Sequence, residues 1–391
     1  MRTNKTTVIW FDYMDNLRAI ALLVGILFHT AMAYSPMSGN IWPAANQEQS
    51  ITLDFAALFS HMFRMPLFFL ISGFFAHMLL EKRGLNGFIK NRLVRIFIPL
   101  AVCLPLIALS LVGGILWAIE VVEHPSPVLE MMAAVLIDPE NNESPLPLST
   151  GHLWFLYNLL MFCGVLALIW KVKLANSRWL SSLATPKFVV FILPLLLIPA
   201  LSSVAKPYPP PDSFSPELWS FGFFGIFFLL GFTLYSKQSL LDELKPYAPF
   251  LCVISIALYS YSFLQIKDVS MTIVSVYERE FSWSKLPLAG AEAFVSVYMT
   301  VWCLVIGKQY LNRKNKLLRI ISKSSYWVYI VHLPILLMIQ YSMMNIELGI
   351  GIEYLIGSLG TLAIGLASYY IFVKPTPIGW ILNGKPRVNK S

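Results

Sequence analysis

The first apolar stretch of the chain, DNLRAIALLVGILFHTAMAYS, contains Arg18 and His29, two side chains that rarely occupy a membrane-crossing helix. Eleven residues of helix correspond to about 1100° of rotation, so both project from nearly the same face, with about 16 Å between them along the axis. An ionisable group in hydrocarbon is costly enough to need a reason, and two on one face point to a shared polar path through the bilayer.

Later blocks repeat the pattern. His61 and Arg64 lie three residues apart on one helical face, with Arg64 about 10 Å into the membrane. Glu292, in the eighth block, falls at a similar depth, so Arg64 and Glu292 are expected to pair or to flank one polar cavity. Ser325, Tyr329 and His332 share a face of the ninth block, as a polar seam between helices or as part of a site. The segment 82–95 holds Lys82, Arg83, Lys90, Arg92 and Arg95. Such a cluster either anchors a helix on anionic lipid or, with Arg92 and Arg95 on one face, clamps phosphates.

The elements that carry these residues follow from composition. Of 391 residues, 57% are hydrophobic and 13% charged. A soluble domain of this length carries about twice that share of charge. Apolar blocks near 17–35, 56–80, 96–119, 151–170, 188–204, 218–236, 247–266, 286–306, 324–344 and 349–373 are mostly long enough to cross about 30 Å of hydrocarbon as helices. The fold class expected is therefore all-α: one polytopic membrane bundle of about ten transmembrane helices over 1–391, with no separate soluble catalytic domain.

The net charge of +8 belongs to loops and reads as a topology signal, not as a nucleic-acid footprint. With the N-terminus inside, 24 of the 29 Lys and Arg residues fall on the cytoplasmic side, including Arg2 and Lys5. Lys206, Lys267, Arg279 and Lys285 fall outside, where Glu120, Glu123, Asp138, Glu140 and Glu143 also lie. Both termini are thus expected in the cytoplasm. Outer segments 36–50, 120–150 and 205–217 read as ordered loops or lids. Ala31-Met32-Ala33 resembles a signal-peptidase site, but the preceding Asp12 and Asp15 argue against cleavage. The four cysteines sit singly in apolar blocks without metal-ligand spacing, and no metal site is expected.

At these residues the sequence resembles the bacterial membrane-bound acyltransferase family 3. Five features occur in the family's order: Asp15-Asn-Leu-Arg18 followed by His29; FFLISGFF around Ser72 and Gly73; Arg92-Leu-Val-Arg95; His152-Leu-Trp154-Phe-Leu; and Tyr329-Ile-Val-His332-Leu-Pro. The likeness runs from about residue 10 to 373. HMFRMPLFFLISGFFAHML with HLWFL looks most like the branch that succinylates osmoregulated periplasmic glucans. The resemblance implies a multi-pass enzyme of the bacterial inner membrane that moves a succinyl or acetyl group from cytoplasmic acyl-CoA to a hydroxyl of a periplasmic or surface glycan. Its implied partners are acyl-CoA, the glycan and membrane lipid.

The resemblance also suggests a role for each costly residue. Arg92 and Arg95, with Lys90 helping, would meet the polyanionic donor, and Arg18 would touch the donor or pair with Asp15. His29 becomes the candidate base or nucleophile, and Arg64 the group facing an oxyanion or a donor carboxylate. His152, Trp154, Glu292 and His332 form the expected acceptor-facing set. A transporter or flippase is the competing class, since intramembrane charges suit one equally. Against it stand the lack of a repeated half and the basic motif at one end.

Overall fold

The computed structural model describes residues 11–138, 149–173 and 184–383. Arg2, Lys5, Glu140 and Glu143 lie outside the described residues. Among the described residues the protein is helical, with a single isolated β-bridge, Ser149 to Ser213. Eight helical segments among the described residues are long and apolar enough to cross a membrane. One of them, Ile51–Val121, has 71 residues, more than twice the length a crossing needs. Gly84 breaks it with φ 63°, a left-handed conformation that favours glycine. Counting this segment as two crossings and adding the shorter apolar helix Phe188–Ser202 recovers the ten blocks expected from the sequence.

The long helices are α1 (Asp12–Ala31), α2 (Ile51–Arg92) and α3 (Ile98–Val121), the last two joined through a π-turn, Leu93–Phe97. The short helix α4 (Pro127–Ile137) lies within the 120–150 segment, which the sequence suggested only as an outer loop or lid. Then come α5 (Trp154–Lys171), α6 (Leu193–Ser202), α7 (Ile226–Ser236), the short α8 (Ser239–Leu244) and α9 (Ala248–Ile266). One turn, α10 (Ile273–Val276), precedes α11 (Leu286–Tyr310), α12 (Lys316–Met343), α13 (Ile350–Ser368) and a final short α14 (Pro377–Asn383).

Apolar side chains are sorted by environment. Val102, Leu106 and Leu109 of α3 are exposed, as a lipid-facing surface requires. Ala19, Leu22 and Ile26 of α1 pack with Ile321 and Val328 of α12, which seats α1 inside the bundle. The tightest joint is between α2 and α7. A Cβ on Gly73 would meet the Phe228 carbonyl oxygen, and one on Gly231 would meet that of Leu70. Only hydrogen at both positions lets the two backbones approach this closely. The joint fixes α2, and with it His61 and Arg64.

Candidate active site

Prolines inside two helices shape the site. Pro334 has no N–H to give the carbonyl four residues back, so the Ile330 oxygen is left over. His152 takes it: Nε2–H donates to Ile330 at 2.8 Å, while Tyr329 donates its hydroxyl to the His152 carbonyl at 2.6 Å. Gly151, at φ 52°, makes the turn that presents His152 at the start of α5. Pro66 likewise frees the Met62 carbonyl, which accepts from Ser296 at 2.6 Å and Tyr208 at 3.1 Å. His61 donates Nε2–H to the Tyr208 carbonyl at 2.8 Å, and the Tyr208 hydroxyl donates back to the His61 carbonyl at 2.6 Å. Two of the main-chain oxygens that hold this region, those of Ile330 and Met62, are thus ones that an uninterrupted helix would have used internally.

His29, in the last turn of α1, sits among these groups. Its ring lies 5.2 Å from that of His332 and stacks 5.9 Å from Trp42. His332 donates Nδ1–H to the Tyr329 carbonyl at 2.7 Å, so its Nε2 carries no proton when the ring is neutral. The His152 ring stands 5.2 Å from His332 on the other side. Nδ1 of His29 is buried with no hydrogen-bond partner. Arg64 is 5% exposed, its guanidinium 4.2 Å above the Phe28 ring, and its Nη1 has no partner. Among the described residues no carboxylate forms an ion pair with it.

The expected pairing of Arg64 with Glu292 does not occur. Glu292 turns to Lys206, with N to O at 2.5 Å and both side chains almost wholly buried. Lys206 reaches inward from the 205–217 segment and also donates to the Leu201 carbonyl, so it is not a free loop charge. This pair stands apart from the cavity described next, so Glu292 is not brought to it. The nearer cation satisfies Glu292 and leaves Arg64 to the chamber.

A single cavity of about 970 Å³ connects most of the remaining residues. At one end it is lined by Arg18, Arg83, Asn91, Arg92 and Arg95, in the middle by His29, His61, Arg64, His152, Trp154 and His332, and at the other end by Trp42, Ser149, Asp212 and Tyr277. Arg18 pairs with Asp15 at 3.2 Å and donates to the Ser322 hydroxyl at 2.9 Å. Arg95 rises from the π-turn, and its carbonyl accepts the Tyr326 hydroxyl at 2.6 Å. Arg92 stacks on Phe88 at 5.1 Å. Lys90 is exposed and not part of the lining, because its position in the last turn of α2 faces away. Arg83 lines the cavity although the sequence marked it only as one charge in a basic cluster. Asp212, Tyr277 and Trp42 carried no sequence signal, since such residues are ordinary in polar loops. Burial holds the Asp212 carboxyl above its ordinary range, and burial beside Asp212 raises the Tyr277 phenol to about 12.

The fold and the cavity define a polytopic helical bundle of the kind that crosses a membrane, with a polar chamber enclosed among its helices. The chain belongs to the acyltransferase domain family, whose pattern it matches over residues 11–370. It is therefore an acyltransferase of the class that moves groups other than amino-acyl groups. It is 23% identical over 393 residues to glucans biosynthesis protein C of Escherichia coli K12, with 97% of this chain and 95% of the relative covered. The proteins of that name in E. coli O9:H4 (strain HS) and E. coli SMS-3-5 are similar to the same extent. No solved structure matches the chain.

Proposed function

We propose that this protein is an O-acyltransferase of the bacterial inner membrane that moves a succinyl or acetyl group from cytoplasmic acyl-CoA to a hydroxyl of a periplasmic or cell-surface glucan. The observation that carries the reading is the continuity of one cavity from an arginine-lined end to the His29 centre. Arg92 and Arg95, with Arg83, suit the phosphates of a CoA donor, and Arg18 adds charge beside them. A pantetheine arm threaded along the cavity would carry the thioester toward His29. The glucan acceptor comes from the name of the E. coli relatives, and the positive-inside bias of the loops supports placing the arginine end in the cytoplasm.

In this reading the His29 imidazole takes the proton of the acceptor hydroxyl as its oxygen attacks the thioester carbonyl. Arg64 lies beside the negative charge that forms on the carbonyl oxygen. The carbon–sulfur bond then breaks, the thiolate recovers the proton from the imidazolium, and the ester and free CoA depart. His332 and Trp42 keep the His29 ring in place.

The test is replacement of His29 by Ala and by Asn, with membrane insertion and monodispersity confirmed. Transfer of radiolabelled acyl groups should fall at least about a hundredfold, the lower bound for removing a general base. Near-normal transfer by either variant would remove His29 from the chemistry.

A further inference from the structure

The cavity end farthest from the arginines is walled largely by connecting segments. Trp42 comes from the segment after α1, Ser149 from the β-bridge before α5, Asp212 from the segment between α6 and α7, and Tyr277 from the turn after α10. These segments are tied together. The Met271 N–H donates to the Met37 carbonyl at 2.8 Å, Asn40 donates to Ser270 at 2.8 Å, and Arg279 pairs with Glu217 at 2.6 Å. Tyr277 is thereby held over the cavity end and keeps a large exposed surface.

Asp212 is the unusual member. It is 7% exposed, and its main-chain carbonyl is fixed by the Thr150 N–H at 2.7 Å and the Thr150 hydroxyl at 2.8 Å. Oδ2 accepts from Ser149 at 2.6 Å and from Tyr277 at 3.2 Å, whereas Oδ1 has no partner. A buried carboxylate oxygen without a donor is expensive unless something brought to the site supplies one. No Lys or Arg lines this end among the described residues, so its chemistry favours a neutral molecule rich in hydroxyls over an anion. Trp42, stacked on His29, makes the pocket continuous with the reacting imidazole.

We propose that Asp212, with Ser149 and Tyr277, is the site that holds the acceptor sugar: a ring hydroxyl donates to the Asp212 carboxylate and the apolar face of the sugar lies on the Tyr277 ring. The inference rests on the glucan reading above, since a neutral sugar supplies the missing donor, but it assigns the acceptor to residues outside the histidine cluster. Asp212 and Tyr277 are binding residues and take no part in bond making.

The experiment separates binding from transfer. Full-length protein in nanodiscs, without acyl donor, is titrated with laminaritetraose, a neutral glucose oligosaccharide, and binding is followed by saturation-transfer NMR. Asp212→Asn should weaken binding about tenfold or more, as expected for a hydrogen bond to a charged group. Tyr277→Ala, which removes a partly exposed side chain without hollowing the core, should weaken it about threefold or more. Wild-type protein that binds no laminaritetraose overturns the assignment, as does either variant that remains folded and binds as wild type does. Protein that binds the sugar through Asp212 yet passes it no acyl group sustains the assignment and sinks the reading of a glucan as the acyl acceptor.

Discussion

Arg64 carries a charge that no carboxylate answers among the described residues, and it does so beside the ring proposed to do the chemistry. A guanidinium left so exposed to its own desolvation cost is useful when a substrate brings the anion. Under the proposed function that anion is the oxyanion formed in transfer or the free carboxylate of a succinyl donor, and a single variant separates the two. Arg64→Gln should lower kcat/KM for succinyl-CoA about tenfold more than for acetyl-CoA if the donor carboxylate is what Arg64 meets. Equal losses with both donors would assign Arg64 to the oxyanion alone. The residue scale is also where the sequence was most and least informative. His29, Arg64, His332, Arg92 and Arg95 stood out because charge or imidazole is rare in or beside apolar helices. Glu292 stood out for the same reason, but its partner came from a loop, and depth along helices carries no information about loops. The Ile330 carbonyl that seats His152 leaves no mark in its own residue type: the signal is Pro334, four positions later.

The α2–α7 joint belongs to the scale of elements. The FFLISGFF segment was legible as a motif, yet the sequence did not say that Gly73 lies against the Phe228 carbonyl, and Gly231 against that of Leu70, with no room for a methyl group at either. Apolar runs mark which helices exist, whereas which helices touch, and through which small residues, depends on pairings that hydropathy does not encode. A Cβ at Gly73 would fall 1.9 Å from the Phe228 carbonyl oxygen, a main-chain atom that cannot rotate aside. Gly73→Ala should therefore cost about 3 kcal/mol, the upper part of the usual range for overpacking, and shift α2 with His61 and Arg64 on it. Thermal unfolding of the purified protein should show the loss, and acyl transfer should fall with it. Gly113→Ala, on α3 where a Cβ meets nothing within 4 Å, is the control that should leave both unchanged. A Gly73→Ala protein as stable as wild type would mean that the α2–α7 contact is looser than the structure has it.

At the scale of the whole molecule the question is what the bundle achieves by enclosing its centre. The ten apolar blocks, their approximate bounds and the single-bundle architecture were all legible, because bilayer thickness fixes helix length. That one cavity joins the arginine end to the histidine centre and then to Asp212 was not, because it is made by helix ends and loops distant in sequence. If donor and acceptor meet in that cavity from opposite faces, acyl transfer is vectorial. Proteoliposomes with the arginine end outward, laminaritetraose sealed inside and succinyl-CoA added only outside should accumulate acylated sugar inside and free CoA outside. Removing external donor should stop the reaction, and sugar supplied only outside should remain unmodified. An enzyme open to one side alone would give the reverse, acylating external sugar and sparing the enclosed pool. The Arg92→Ala/Arg95→Ala protein should need more external succinyl-CoA to reach the same rate, with its dependence on enclosed sugar unchanged, because these side chains line only the donor end. The arginines and Asp212 would then act on two substrates that never share a compartment, and the helices between them would be the conduit for the acyl group.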